Sequence, residues 1–287
     1  MSIYDIGFPK LGILLENLPN GVSVFGFWIA FYGMIMALAM VMGYLLTAWQ
    51  AKRTGQNPDL YLDFALIAIP VCVVAARIYY VIFSWDLYKD DPLQIFNVRN
   101  GGLGIYGAVI AAIITAVIFS RVKKVSLGLL VDTGCIGLVT GQIIGRWGNF
   151  FNREAFGGYA GNSLFAMELP WDEAKLHMST EAALTLRQYI SADNTILVHP
   201  TFLYESVWNL CLLIFLLVYT RHKKFDGELF CIYMAGYGLG RFWIESMRTD
   251  PLLLWGTSIP VSMIVAAVMV VTGIGFILWK RRKCKES

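Results

Sequence analysis

The sequence predicts an all-α integral membrane protein with seven transmembrane helices, an outside amino terminus, a cytoplasmic carboxyl terminus and a small extracytoplasmic head. Three observations predict it. Hydrophobic residues make up 57% of the 287 and charged residues 15%. With a mean hydropathy of +0.60, that composition lies outside the range of soluble globular domains. Seven stretches reach the ~20 apolar residues needed to cross ~30 Å of hydrocarbon. Lysine and arginine gather in every second loop, the pattern that retains loops in the cytoplasm.

In chain order, residues 1–22 are too short and mixed to span and form an N-terminal interfacial arm. They lack a basic region followed by a short apolar core and a small-residue cleavage site, so the first span is expected to direct insertion without a cleaved signal peptide. Helices one to four occupy 23–147, as spans near 23–48, 60–84, 102–120 and 127–147. Residues 148–199 form the head segment, with an amphipathic helix near 179–190. Helices five to seven occupy 200–279, as spans near 200–220, 228–247 and 257–279, before a basic tail at 280–287. Breakers and charges separate the spans, as in Gln56-Asn57-Pro58-Asp59, Asp90-Asp91-Pro92 and Asp250-Pro251. The cytoplasmic loops carry Lys52 and Arg53, then Arg121, Lys123 and Lys124, then Arg221, Lys223 and Lys224. The opposite loops are acidic or mixed, with Asp86, Asp90 and Asp91.

The net charge of +3, in short clusters rather than one stripe, argues against a nucleic-acid partner. Cys72, Cys135, Cys211, Cys231 and Cys284 stand singly, without a C-x-x-C pair, and read as small packing residues. Nothing in the sequence indicates a metal, nucleotide or other cofactor.

A charged side chain at bilayer depth costs at least ~2.5–3.5 kcal/mol, so each one needs a reason. At 1.5 Å per residue, Arg146 stands roughly 28 Å and Arg241 roughly 20 Å above the inner ends of their spans, both in the outer half. Arg77, Tyr106, His199 and Glu205 reach a similar height. Tyr237, Arg241, Glu245 and Arg248 are spaced four, four and three and share one helical face. An internal Arg241–Glu245 pair is one reading. The second arginine on that face, however, leaves positive charge that an anionic headgroup would balance, and guanidinium forks suit phosphate oxygens.

Gly137, Gly141 and Gly145 recur every four residues, a spacing that lets another helix approach closely. Arg146, Asn149, Asn152 and Glu154 crowd donors and acceptors onto the exit of that span. The glycines of Gly101-Gly102-Leu103-Gly104-Ile105-Tyr106-Gly107 allow close approach by a ligand or a helix, or make a turn. In His199-Pro200-Thr201-Phe202-Leu203-Tyr204-Glu205, proline suits a first helical turn and Glu205 is an intramembrane carboxylate requiring a partner. His199 reads either as interfacial and structural or as part of the site. Trp28, Trp85, Trp208 and Trp255 read as belt or packing residues.

Together these segments resemble the prolipoprotein diacylglyceryl transferase family of bacterial inner membranes. The resemblance rests on Phe31-Tyr32-Gly33, the Gly101–Gly107 motif, the signature Gly145-Arg146-x-Gly148-Asn149-Phe150-x-Asn152-x-Glu154-x-x-Gly157, His199-Pro200-x-x-Leu203-Tyr204-Glu205, and Tyr237-Gly238-x-x-Arg241-Phe242-x-x-Glu245-x-x-Arg248-x-Asp250. It extends over nearly the whole chain. It implies a multi-pass cell-membrane enzyme with its active site toward the outer leaflet. That enzyme would transfer the diacylglyceryl group of phosphatidylglycerol to the lipobox cysteine thiol of prolipoprotein signal peptides, forming a thioether and releasing glycerol 1-phosphate. This would be the first step of lipoprotein maturation. The resemblance also implies a catalytic set of Arg146, Arg241, Glu154 and Tyr106. Arg146, Arg241, Asn149, Tyr32, Tyr237, Glu245, Arg248 and His199 would bind phosphatidylglycerol.

One departure matters. Many relatives have histidine where this chain has Tyr106, and a phenol with pKa near ~10 is a poor base at neutral pH. Tyr106 is therefore expected to donate a hydrogen bond, leaving the base open among Glu154, Glu245, His199 and water. An anion channel or transporter would also use intramembrane arginines, but paired interrupted spans are lacking. An intramembrane protease would need His-Glu-x-x-His or Gly-x-Ser-x-Gly, and the sequence has neither.

Overall fold

The computed structural model describes residues 5–98, 101–255 and 257–286, and of 284–286 the backbone alone. Strands β1 (Ile6–Phe8), β2 (Ile13–Leu15), β3 (Gly21–Val24) and β4 (Phe27–Ala30) precede helices α1 (Phe31–Arg53), α2 (Pro58–Phe83), α3 (Ile105–Val122) and α4 (Leu127–Asn152). Then follow β5 (Met167–Pro170), α5 (Trp171–Ala174), α6 (Thr180–Leu186), β6 (Thr195–Val198), α7 (Thr201–Tyr219), α8 (Glu228–Glu245) and α9 (Val261–Glu286). The chain forms two compact units, Tyr44–Gly134 and the remainder, Met1–Gly43 with Cys135–Ser287.

In the Tyr44–Gly134 unit, α2 starts where Pro58 presets the first turn and Asn57 Oδ1 accepts from Asp59 N at 3.0 Å. Helix α3 packs along α2 because its glycines offer no side chain at the crossing. A Cβ on Gly107 would lie 2.5 Å from Ala75 O, and one on Gly104 would lie 2.6 Å from the Tyr79 ring. At the other end Ala51, Tyr61, Ala116, Phe119 and Leu130 form a small core. Gln56 ties it to α4 by donating to Thr133 Oγ1 at 2.9 Å.

In the larger unit the expected glycine stripe faces α1. A Cβ on Gly43 would meet Gly137 O at 2.9 Å, and one on Gly145 would touch Met36 Sδ at 3.4 Å. Helix α8 lies between α7 and α9, again through glycines. Gly240 leaves room for the Trp208 indole, whose Nε1 donates to Gly236 O at 2.9 Å, and Gly238 lies under Ala266 O.

Among the described residues six helices are long and apolar enough to cross a membrane: α1, α2, α3, α4, α7 continued to His222, and α9 to Lys283. The expected seventh, α8, is not among them. Its 18 residues include Glu228, Arg241 and Glu245. At its first residue, the wholly buried Glu228 accepts from Arg281 Nε of α9 at 2.7 Å.

The all-α expectation holds for the apolar spans and fails for the head. There β2, β1, β5 and β6 form a four-stranded antiparallel sheet, and β3 pairs with β4. The first helix therefore begins at Phe31 rather than near 23, because the apolar run Gly21–Ala30 folds as a hairpin turning at Phe25 and Gly26, both at positive φ. Residues Ile6–Phe8 and Ile13–Leu15 pair in the head sheet. Ile6, Phe156, Leu169, Ile196 and Val198 form the head's core with Phe150 and Phe202, which top α4 and start α7. The helix expected near 179–190 is α6, capped by Ser179 Oγ accepting from Ala182 N, plus a 3-10 turn Arg187–Tyr189. Cys135 and Cys231 are buried, Cys72 half-buried and Cys211 exposed. The side chain of Cys284 lies outside the described residues.

Candidate active site

Helices α4, α7 and α8 and the turn after α8 bring three arginines and their carboxylates to one buried seam. Glu205, in the first turns of α7 and 4% exposed, stands between Arg146 of α4 and Arg241 of α8. Its Oε2 is 2.6 Å from Arg146 Nε, and its Oε1 is 2.7 Å from Arg241 Nη1. On the far side Arg241 Nη2 meets Glu245 Oε2 at 2.5 Å, and Arg248 Nε stands 4.0 Å from that same oxygen. Arg248 closes the row with a bidentate pair to Asp250, Nε to Oδ1 at 2.9 Å and Nη2 to Oδ2 at 2.7 Å.

The expectation of excess positive charge on the α8 face is corrected here. The Arg241–Glu245 pair forms, Glu205 reaches the same arginine from α7, and Asp250 takes Arg248. What remains open is donors rather than net charge. The carboxylates sit behind, Glu205 4% and Glu245 3% exposed, whereas the Arg146 and Arg241 side chains keep 21% and 17% of their surface. Among the described hydrogen bonds, Arg146 donates from Nη1 to Asn149 Oδ1 at 3.3 Å and Arg241 from Nη1 to Glu205 Oε1 at 2.7 Å, while Arg146 Nε and Arg241 Nη2 face Glu205 Oε2 and Glu245 Oε2 as ion pairs. Each guanidinium has five N–H groups, so both retain donors on their accessible side. Glu205 Oε2 and Glu245 Oε2 meet their cations without hydrogen-bond geometry and remain buried acceptors.

The turn after α4 supplies the next layer. Asn149 Nδ2 donates to Glu154 Oε1 at 2.8 Å, and Asn152 Nδ2 donates to the same oxygen at 3.3 Å. Arg153 and Ala155 both adopt left-handed backbone, with φ of 53° and 57°, a conformation costing about 1–3 kcal/mol unless the surroundings impose it. They do impose it. Thr201 Oγ1 donates to Ala155 O, Gly157 N to His199 O at 2.8 Å, Gly158 N to Met247 O at 2.9 Å, and Thr249 Oγ1 to Phe156 O at 3.1 Å. Arg153, 1% exposed, donates to Leu18 O in the N-terminal segment. Gly157 sits where these strands of chain cross, since a Cβ there would lie 2.8 Å from His199 Cβ.

A cleft of about 520 Å³ opens beside this turn, lined by Asn149, Glu154, His177, Ser179, Arg248 and Asp250 among others. Arg248 lies at its wall, outside the spans. Burial pulls its pKa down, but the Asp250 bonds and the charges of Asp250 and Glu245 outweigh that and hold it above the ordinary value.

The other expected residues separate. The Tyr32 ring lies across Gly148, one turn nearer the head than Gly145, where a Cβ would come within 2.8 Å of it. Tyr237 stacks on Tyr233 at 5.7 Å, one and two turns before Arg241, and Gln142 Nε2 donates to the Tyr233 hydroxyl at 2.9 Å. This extends a polar row beneath the arginines. His199 stands apart from the arginines in its described contacts. Its Nδ1 is 3.1 Å from the Tyr204 hydroxyl, and burial lowers its pKa, which favours the neutral ring. Tyr106 and Arg77 belong to the Tyr44–Gly134 unit. There Tyr106 neighbours Tyr79 at 6.3 Å, and Arg77 binds its own unit's loop. Glu205 is the residue that sequence reasoning left outside the site, although an unpaired carboxylate among the apolar residues of a span was its signal. Asp250 and Asn152 were equally legible as neighbours of Arg248 and Glu154.

A family model described as prolipoprotein diacylglyceryl transferase matches residues 19–279. A protein of Clostridioides difficile is 38% identical over 265 residues, covering 92% of this chain and 96% of its own. One of Listeria welshimeri is 40% identical over 266 residues, covering 92% and 90%. One of Lysinibacillus sphaericus is 39% identical over 277 residues, covering 96% of each. All three carry the name phosphatidylglycerol–prolipoprotein diacylglyceryl transferase.

Proposed function

The chain belongs to the prolipoprotein diacylglyceryl transferase family, and from that membership we propose its reaction. It transfers the sn-1,2-diacylglyceryl group of phosphatidylglycerol to the lipobox cysteine of a prolipoprotein, leaving a thioether and glycerol 1-phosphate. The observation carrying this reading is the pair of guanidinium groups, Arg146 and Arg241, held on the two oxygens of one buried carboxylate.

The chemistry follows from that arrangement. A cysteine thiolate attacks the glycerol carbon, the C–S bond forms, the C–O bond to phosphate breaks, and the thiol proton ends on the departing phosphate. Charge develops on phosphate oxygens, and the donors left on Arg146 and Arg241 stabilise it without reorganising, because Glu205 and Glu245 already fix them. The buried acceptors Glu205 Oε2 and Glu245 Oε2 suit a headgroup that carries hydroxyls as well as phosphate.

The thiol, with an unperturbed pKa near ~8.5, must lose its proton first. Glu154 suits that task best. It lines the cleft and keeps Oε2 outside the Asn149 and Asn152 bonds, whereas Glu245 is buried between two arginines. Asn149, Tyr32, Tyr237 and Arg248 shape the headgroup site in this reading, Tyr106 donates a hydrogen bond, and His199 supports the turn. No cofactor is required.

The same reading places α8 as the seventh span, seated between α7 and α9, with Arg241 and Glu245 turned to the seam and Glu228 paired with Arg281 of α9. It places the amino terminus and residues 148–199 outside the bacterial inner membrane and the basic tail inside, following the loop charges. Intact-mass analysis of a lipobox peptide, incubated with the purified protein and phosphatidylglycerol, tests the proposal. A diacylglyceryl mass increment that Arg146→Ala and Arg241→Ala abolish supports it. An unmodified peptide, or full transfer by both variants, defeats it.

A further inference from the structure

Arg77 is a buried cation, 7% exposed, in the last two turns of the apolar helix α2, and no carboxylate is among its described partners. Instead all five of its N–H donors meet backbone carbonyls. Nε donates to Ile95 O at 2.8 Å, Nη1 to Gly101 O and Gly102 O at 2.9 Å each, and Nη2 to Gln94 O at 2.7 Å and Asn97 O at 3.1 Å. The Tyr88 ring covers the guanidinium at 5.1 Å. Three of the five carbonyls belong to the end of the 3-10 helix Pro92–Phe96 and to the residue after it, and Gln94 O accepts from Asn97 N as well as from Arg77. The other two belong to the glycine pair that leads into α3.

The glycine motif closes around the same point. A side chain on Gly102 would collide with Arg77 Nη1 and come within 3.0 Å of the Tyr80 ring. Gly102 also holds φ of +77°, a backbone conformation L side chains rarely adopt. Gly104 N donates to Ala76 O at 2.9 Å, beside Arg77 in the α2 backbone. The glycines of the motif are thus taken up by α2 and by Arg77. Tyr106 follows them as the second residue of α3, with its ring 6.3 Å from that of Tyr79 on α2.

We infer that Arg77 is a positioning residue for the reaction. By gathering the carbonyls of Gln94, Ile95, Asn97, Gly101 and Gly102 it fixes where α3 begins and how Tyr106 is presented. This rests on the reading above in which Tyr106 takes part in the site. Lysine cannot replace the function, because it offers three donors from one point and no planar fork.

The test is a double-mutant cycle on the full-length protein in lipid nanodiscs, using rates of diacylglyceryl transfer from phosphatidylglycerol to a lipobox peptide. Arg77→Lys is expected to lower kcat roughly tenfold with KM little changed, and Arg77→Met roughly a hundredfold, partly restored by added guanidinium ion. In a Tyr106→Phe background the Arg77 substitutions should cost less than about threefold more, because the route through the phenol is already lost. Fully multiplying effects, or an inert Tyr106→Phe beside an impaired Arg77→Lys, overturn the inference. If Arg77→Met does not fold, Arg77→Lys and Tyr88→Leu complete the cycle.

Hydrogen exchange supplies a readout independent of turnover. Amides of 101–107 should exchange faster in Arg77→Lys while those of α7 and α8 stay unchanged, and uniform loosening would mark a merely structural role. If the wild type transfers nothing while Arg77→Lys still speeds exchange at 101–107 alone, the result counts against the proposed reaction and not against the hold of Arg77 on the start of α3.

Discussion

Glu205→Gln keeps the shape of the side chain and removes its charge, which makes it the sharpest probe of the arginine seam. In the wild type this carboxylate faces Arg146 Nε at 2.6 Å and Arg241 Nη1 at 2.7 Å. Two unit charges 4 Å apart interact by about 4 kcal/mol at an effective dielectric near 20. The substitution deletes two such attractions and leaves two guanidinium groups repelling each other. Two effects offset the change: the amide carbonyl still accepts from one arginine, and water reaches the 21% and 17% exposed side chains. After that discount about 2–4 kcal/mol of preorganisation is lost, roughly 30- to 1,000-fold in rate. The loss should fall on kcat. An anionic headgroup no longer competes with Glu205 for the cations, so KM for phosphatidylglycerol should stay level or fall. Initial rates across a phosphatidylglycerol series in nanodiscs, read by intact mass of the peptide, separate the two constants. Unchanged kcat, or a loss appearing entirely as raised KM, would refute the view that Glu205 orients the arginines for the transition state.

Three further outcomes follow from the geometry. Gly157→Ala pushes a methyl to 2.8 Å from His199 Cβ and 3.1 Å from Met247 O. It should destabilise the protein by about 1–3 kcal/mol, seen as a lowered Tm together with reduced transfer, since the same turn carries Glu154. Arg281→Met removes the cation from the fully buried Glu228, which keeps Lys224 N and the Tyr219 hydroxyl among its described partners. Because Arg281 is 40% exposed, a loss of about 1–3 kcal/mol is expected, and an unaltered thermal unfolding curve would show the clasp to be idle. Burial lowers the His199 pKa, so the unfolded chain takes up this proton before the folded one. That contribution is complete above the unfolded value near ~6.5 and is lost as pH falls through the folded pKa. His199→Gln should therefore flatten the decline in Tm below about pH 6.5, and two parallel profiles would contradict the assignment.

What the sequence disclosed, and what it withheld, divide along a physical line. Apolar length and loop charge are local properties, so helix bounds such as 228–247 against Glu228–Glu245 come close. Depth along a span is local too, because rise per residue is fixed. This is how Arg146, Arg241 and Glu205 could be placed at one level before any contact was known. Rotation between helices is not local. Depth alone put Arg77 with the other arginines, and its partners show that it holds the backbone carbonyls of Gln94, Ile95, Asn97, Gly101 and Gly102. The same limit hid the choice of carboxylate for each cation, since the partner of Arg146 lies 59 positions away on α7. Strands escaped for a related reason. β1 is three residues long and pairs Gly7 with Glu168, so its stabilising neighbours are remote and no alternating run is long enough to signal it.

The balance of charge in the seam bears directly on how such a site acts on a lipid already in the membrane. Bare arginines at this depth would be costly before substrate arrives. With Glu205, Glu245 and Asp250 in place the empty site is close to neutral, and each cation is held in its working orientation. A phosphodiester entering this seam adds one negative charge, and cleavage of its C–O bond adds a second to the leaving oxygen. The fixed donors therefore interact more strongly with the departing phosphate than with the resting lipid, the condition under which binding interactions accelerate a step rather than trap the substrate. Removing the carboxylates tilts the site toward binding, and removing the arginines abolishes both. That asymmetry makes Glu205→Gln and Arg241→Ala opposite in their effect on KM while alike in lowering kcat.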